Sequence, residues 1–246
     1  MKTQLFGRSL YGPLVIALLV LSSFTIGDRN EHVRGSGTIK QEVRTQNPFK
    51  SISTSGNYNV YIQQGSKHDI QIEADDNLLP YIVTTVDGNE LRINTKKGYE
   101  IKPSKTINIY VTVEELEALN SSGSGGFYSK SGLKGDKVVF TFSGSTIANM
   151  DLTSNALNVR ISGSSKVNLK GNIPSTNYGI SGSGDIDAFD LHSDNVRVEV
   201  SGSGKLDVYA DKKLDISVSG MGNVRYKGNA SISQSSSGMS KVSKKD

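Results

Sequence analysis

From Tyr178 to Leu191 the chain reads YGISGSGDIDAFDL, and from Val198 to Val208 it reads VEVSGSGKLDV, so Ser-Gly-Ser-Gly twice stands between two apolar runs. Glycine weakens an ordinary strand through backbone entropy and the lack of a side chain to pack, so its recurrence at one point means that the backbone requires it there. The marker glycines are Gly123, Gly144, Gly163, Gly182, Gly202, Gly220 and Gly238, separated by 21, 19, 19, 20, 18 and 18 residues. Self-similarity at such a period is the signature of a solenoid.

The content between markers repeats as well. After Gly202 come Leu206 and Val208, a turn at ADKK, then Leu214, Ile216 and Val218 alternating with polar residues; after Gly182 the same order runs Ile186, Ala188, Leu191, a turn at HSDN, then Val196, Val198 and Val200. After Gly163 it runs Val167, Leu169 and a turn around Gly171 and Asn172. Each unit offers short strands of period 2 separated by turn residues, and none can bury its apolar face alone. Stacked as coils, neighbouring units pair in parallel at ~4.8 Å and their apolar columns merge into one core.

The fold class read from this pattern is all-β, a parallel β-solenoid (β-helix-like) with coils of about 18–21 residues. The corners are placed at Gly144, Gly163, Gly182, Gly184, Gly202, Gly204, Gly220 and Gly222, with the glycines inward and Ser201 and Ser203 outward. A flexible Gly/Ser linker is the competing reading. It fails because each instance is flanked, in register, by aliphatic alternation.

The ends read differently. Lys2 and Arg8, the apolar run Leu14 to Leu21 and the small residues that follow form a signal-peptide pattern over 1–27, with the cut between Ser22 and Gly27. Even Pro13 to Ile26 falls short of the ~20 apolar residues of a spanning helix. Residues 28–46 are expected to form a linker and first strand, and 47–232 the solenoid domain. Within it, 47–115 supplies longer irregular coils or a cap over the first edge, with a hairpin at Asp87-Gly88-Asn89, and 116–232 carries the regular repeats. The apolar positions stop after Ile232, so 233–246 is expected to be a disordered basic tail.

The chain has no cysteine, which removes disulfides, thiolate metal sites, a cysteine nucleophile and a lipid-modified cysteine anchor. Of the formal charge of +4, Lys2 and Arg8 supply two in the leader, and the tail lysines Lys241, Lys244 and Lys245 net two more against Asp246. The body between is neutral, which argues against a nucleic-acid partner.

Phe49-x-x-Ile52, Gly56-Asn57-Tyr58-Asn59-Val60, Gly65, GNELRI from Gly88 to Ile93 and the Ser-Gly series from Ser122 onward occur here in one order. In that order they resemble the bacterial auto-transporter adhesin, head GIN domain family, over about residues 35 to 230. The resemblance implies an exported β-helix-like domain of Bacteroidota-type envelopes, with no established activity to carry to a residue.

The candidate chemistry is sparse. GSGDID suggests a calcium β-roll, but the aligned column Lys166, Asp185, Lys205, Asn223 lacks repeated carboxylates and reads instead as a surface charge ladder. Two positions on, Asp187 and Asp207 fall on adjacent rungs, roughly 5 Å apart, a spacing at which carboxylates share acid and nucleophile roles in glycoside hydrolysis. They are the weak catalytic candidates, and are expected to face away from the core, solvated and ionised, with no aromatic platform around them. His32, His68 and His192 stand singly, without a second ligand at metal spacing. Tyr58, Tyr61, Tyr178, Tyr209 and Tyr226 are scattered, and Phe189 and Tyr209 are expected to stack in one outward column.

No cofactor and no metal site follow from these residues. The function read from them is an exported, non-enzymatic module of the cell envelope or surface, in the periplasm or outside the cell, with binding or adhesion its leading role. A carbohydrate-active enzyme using the Asp pair and a purely structural envelope protein are the rivals. Envelope or host polysaccharide or protein are the partner classes, and after leader cleavage no transmembrane anchor is expected.

Overall fold

The structure, a computed structural model, describes residues 30–245, so the expected signal peptide lies outside the described residues. Among these, a ten-stranded and a twelve-stranded sheet face each other as the two walls of a β-solenoid of about seven turns. One coil shows the logic. Ala156–Ile161 lies in the ten-stranded sheet, Ser162-Gly163 turns the corner, and Ser164–Asn172 continues in the twelve-stranded sheet. Ile173-Pro174 then returns the chain to the first wall at Ser175–Ile180.

Through the repeats both walls pair in parallel, which holds the inward columns in register. In the ten-stranded wall one column runs Ile52, Leu119, Phe140, Val159, Tyr178, Val198, Ile216, every member buried. Opposite it run Val60, Phe127, Ala148, Val167, Ile186, Leu206 and Val224. A period of 2 along each strand and of one coil between strands thus converge on one continuous core.

The two glycines of a corner act differently. A Cβ on Gly202 would lie 2.1 Å from the Gly182 carbonyl oxygen and 2.3 Å from that of Ser181, so the first glycine lets the backbone of one coil rest on the corner beneath it. A Cβ on Gly204 would meet the Val200 methyl groups at 3.0 Å inside the coil. The inward position expected of both therefore describes Gly204 and its equivalents Gly184 and Gly222. Gly144, Gly163, Gly182, Gly202 and Gly220 instead each abut the preceding corner's backbone.

The first part of the chain builds both a coil and a cap. Glu90–Thr95 and Ile107–Val113 form a coil that stacks outside the one made by Ser51–Thr54 and Asn57–Gln64, although it comes later in the chain. Beyond it, Ile82–Asp87 pairs antiparallel through the hairpin at Gly88-Asn89, and Asp69–Asp75 and Ile39–Thr45 add antiparallel strands to the other wall. The fully buried Asp75 fastens this cap. It accepts bonds from the Gly37 amide at 2.7 Å, the Ser104 amide at 2.9 Å and the Ser104 hydroxyl at 2.6 Å.

The opposite end corrects the sequence reading. Residues 233–244 are not a disordered tail: Ser231–Ser236 and Met239–Lys244 form one more coil, paired in register on Lys213–Val218 and Met221–Lys227. In this coil the inward columns turn polar. Gln234 continues the Ile216 column, Ser236 the Val218 column, and the Gln234 amide donates to Ser240 Oγ at 3.2 Å.

Candidate functional site

The outward residues of the twelve-stranded wall also form columns, and the sequence candidates fall in them. Asn149, Asn168, Asp187, Asp207 and Arg225 oppose one another on successive rungs. Asp187 is exposed, but Asp207 is only 4% exposed. This overturns the expectation that both acids are solvated. Arg225, one rung on, folds back over Asp207, its Nε donating to Oδ1 at 2.6 Å and its terminal nitrogen to Oδ2. The guanidinium also lies 5.6 Å from the centre of the Phe189 ring, which holds it down. With both oxygens of Asp207 taken by one guanidinium, Asp207 is held as a paired carboxylate, and of the two acids only Asp187 stays open to solvent.

The neighbouring column carries the charge ladder. Lys166, Asp185, Lys205 and Asn223 stand opposite one another, with Lys205 Nζ 3.7 Å from Asp185. Such exposed pairs contribute a few tenths of a kcal/mol. The histidines stay apart: His32 approaches Glu100 at 3.3 Å, His68 meets the Phe49 ring and His192 the Tyr209 ring. Tyr209 therefore pairs with His192, at 4.5 Å between ring centres, rather than with Phe189, because a register shift in the Ser183–His192 strand displaces Phe189 toward Arg225 and Lys227. Among the described residues no group of three His, Asp or Glu side chains is placed to hold a metal ion.

Sequence reasoning missed the largest aromatic feature of this face. Tyr110, Tyr61 and Tyr128 oppose one another on three successive rungs. Tyr61 stacks on Tyr110 at 5.2 Å between ring centres and on Tyr128 at 5.1 Å, with interplanar angles of 21° and 23°. Lys130 Nζ sits 4.4 Å from the Tyr110 ring centre. Burial first, then the Glu73 carboxylate and Tyr61, raise the Tyr110 hydroxyl above the ordinary phenol range, and burial and Tyr61 do the same for Tyr128. Both hydroxyls stay protonated donors at neutral pH. Tyr58 and Tyr178, by contrast, are core residues. The signal that marks the stack is an Asn-aliphatic-Tyr triplet, Asn59-Val60-Tyr61 and Asn108-Ile109-Tyr110, echoed by Gly126-Phe127-Tyr128.

Three depressions lie along this face. A groove of about 1160 Å³ follows the Ser-Gly corners along the solenoid, from Asn59 and Tyr128 at one end to Met239 and Lys241 at the other. A second, of about 390 Å³, adjoins Tyr110, Gln63 and Gln71. A third, of about 290 Å³, lies over Ser129, Asn149, Asn168 and Asp187. The arrangement suits an extended ligand held at many points, since rungs repeat at ~4.8 Å along the track.

The model of one family, described as "Putative auto-transporter adhesin, head GIN domain", matches residues 48–230. Among solved structures, the chain is similar to one named "a putative adhesin" from Bacteroides fragilis, at 26% identity and a TM-score of 0.82, covering 87% of this chain and all of that one. A "putative adhesin" from Parabacteroides merdae is 25% identical, with a TM-score of 0.69 over 88% of this chain and all of that one. A protein from Parabacteroides distasonis named "Putative lipid binding protein" is 26% identical, with a TM-score of 0.71 over 88% of this chain and all of that one. No curated protein matches the chain.

Proposed function

The chain belongs to the auto-transporter adhesin, head GIN domain family, and from that premise we propose that it is an exported, non-catalytic binding module of the cell envelope or surface. Its ligand lies along the outer face of the twelve-stranded wall. The observation that carries this reading is the continuous track beside the corners, which borders a stacked aromatic column, while Arg225 holds Asp207, one of the two register-paired acids on that face. Family and neighbours bear names of adhesion, and one neighbour a name of lipid binding. A lipid-binding role would call for an enclosed apolar cavity, whereas the track is an open groove lined mostly by Ser, Gly, Asn and Lys, with the exposed side chains of Ile147, Met221 and Met239 spaced along it. Among the described residues no helix is long and apolar enough to cross a membrane.

The test has two arms. Fractionation of the native host should recover the chain shortened by its leader, in the periplasm or at the surface, released without detergent. Labelled protein should bind isolated envelope or host-cell surfaces saturably, and purified protein should release no reducing sugar from them. Turnover abolished by Asp187→Asn together with Asp207→Asn would overturn the non-catalytic reading, and full-length protein recovered only with detergent would overturn soluble export.

A further inference from the structure

We infer that the ladder Tyr110, Tyr61, Tyr128 and the amide pair beyond it, Asn149 and Asn168, hold an uncharged, hydroxyl-rich linear polysaccharide laid along the solenoid axis. This rests on the reading of the outer face as the binding face and adds the ligand's chemistry. Stacking commits both faces of Tyr61 and one face of each neighbour. The remaining face of Tyr128 is turned along the axis toward the next rung, where its register partner Asn149 has a much shorter side chain; the ring leans along its strand over Gly126, whose partner there is Ile147. That step lies between two depressions: Tyr128 borders the groove beside the corners, and the hollow over Asn149 and Asn168 starts at Ser129, its neighbour in the chain. A pyranose ring laid in the step packs its C–H face on the tyrosine, which suits the aromatic quadrupole and buries apolar area without removing hydroxyls from polar partners.

The amides supply those partners. Asn168 Nδ2 donates to Asn149 Oδ1, which leaves the Asn149 NH₂ and the Asn168 carbonyl free as one donor and one acceptor for vicinal hydroxyls. Charge argues for a neutral polymer. From Tyr110 to Asn168 this column carries no formal charge, and the adjacent outward column reads Asn108, Asn59, Gly126 and Ile147 before the first lysine at Lys166. On the other side the depression carries Asp151, Asp187 and Asp190 against Lys170, whose Nζ lies 3.2 Å from Asp151, and Lys130 is placed over the Tyr110 ring. An anionic chain would therefore find no matching row of cations on this stretch.

The test is affinity electrophoresis of the exported chain through gels containing soluble neutral glucan, mannan or galactan, with alginate as the anionic comparison. Tyrosine emission provides a second readout, because the chain has no tryptophan. At least one neutral polymer should retard the protein and quench its emission, with little change in high salt. Tyr128→Ala and Asn149→Ala should each weaken retardation about tenfold; Tyr128→Phe, which keeps the ring, should recover most of the loss seen in Tyr128→Ala, and the control Arg197→Gln, on the opposite wall, should stay within about twofold. Retardation by alginate alone, reversed by salt, would overturn the inference, as would wild-type retardation of Tyr128→Ala. If the protein binds envelope or host-cell surfaces but no neutral polymer, this inference fails while the binding reading stands. If it binds none of these, both fail.

Discussion

One methyl group added at Gly202 and one added at Gly204 have different consequences, although both extend the same corner. At Gly202 the new Cβ would lie 2.1 Å from a carbonyl oxygen of the coil beneath, and backbone on both sides must separate to admit it. At Gly204 it meets two methyl groups at 3.0 Å, which a rotamer change can ease. Gly202→Ala is expected to cost about 2 kcal/mol or more and Gly204→Ala about 1 kcal/mol, read as urea midpoints at constant slope. Equal losses would mean that coil stacking does not depend on the first glycine. The acid pair also divides at this scale. Asp207→Ala strands the Arg225 guanidinium and removes a buried charged hydrogen bond, an expected loss of about 1–2 kcal/mol. Asp187→Ala removes an exposed carboxylate and should stay within about 0.5 kcal/mol. A silent Asp207→Ala would place Arg225 in solvent rather than on the acid.

At the scale of the strand, inward and outward parity decides the effect of a substitution. Ile216 is 3% exposed, between Val198 and Gln234 in its column, while its neighbour Ser217 faces water. Ile216→Ala should cost about 2–4 kcal/mol and Ser217→Ala almost nothing. The cap strands add a dependence on pH. Burial alone would raise the Asp75 carboxyl, but the bonds from Ser104 and Gly37 outweigh it and hold the group below the ordinary aspartate range. Because the folded value lies below the unfolded one, the unfolded chain binds the proton more tightly. The stabilisation is therefore complete above the ordinary value of about 3.9 and fades as pH falls below it through the depressed folded value. Urea midpoints measured between pH 7 and pH 3 should fall less steeply in Asp75→Asn than in the wild type. Parallel curves would remove Asp75 from the acid response.

Which elements could be read from sequence follows from the same physics. From Ser145 to Lys227 the strand period and the coil period reinforce each other, so the marker glycines, the inward valines and the adjacency of Asp187 and Asp207 were all legible. Glu90–Thr95 and Ile107–Val113 were not recognised as an outer coil, because they pass beyond a coil that precedes them in the chain and no local pattern records that exchange. The tyrosine stack was hidden for the same reason: Tyr110 precedes Tyr128 in sequence yet lies on the far side of Tyr61. Alternation marks Arg225 only as an outward residue. Its fold-back on Asp207 depends on a long side chain reaching across a rung, which alternation alone does not specify.

For the whole molecule, the two ends of an open stack decide whether further copies add to it. One end is covered by antiparallel strands clasped at Asp75, and the other closes with a coil whose inward columns carry Gln234 and Ser236 and whose last strand bears Lys241 and Lys244. Polar and charged residues there discourage strand addition by a second copy. Gln234→Val together with Ser236→Val should shift the protein to concentration-dependent association in gel filtration, while the wild type elutes as one species at all concentrations. Unchanged elution would mean that another feature protects this end. Every column described here, including the tyrosine and amide ladders, depends on consecutive repeats occupying adjacent rungs. The chain has no cysteine, so two introduced ones report only on each other. Ser164 opposes Ser183 on the next rung, and Ser183 opposes Ser203 on the rung after that. Neighbouring rungs at ~4.8 Å fall within the Cα separation of a disulfide, about 4.4–6.8 Å, and two rungs do not. On mild oxidation Ser164→Cys/Ser183→Cys should form an intramolecular disulfide without loss of the urea midpoint, and Ser164→Cys/Ser203→Cys should retain two free thiols. Closure of the second pair in preference to the first would contradict the stacked register and the binding face built on it.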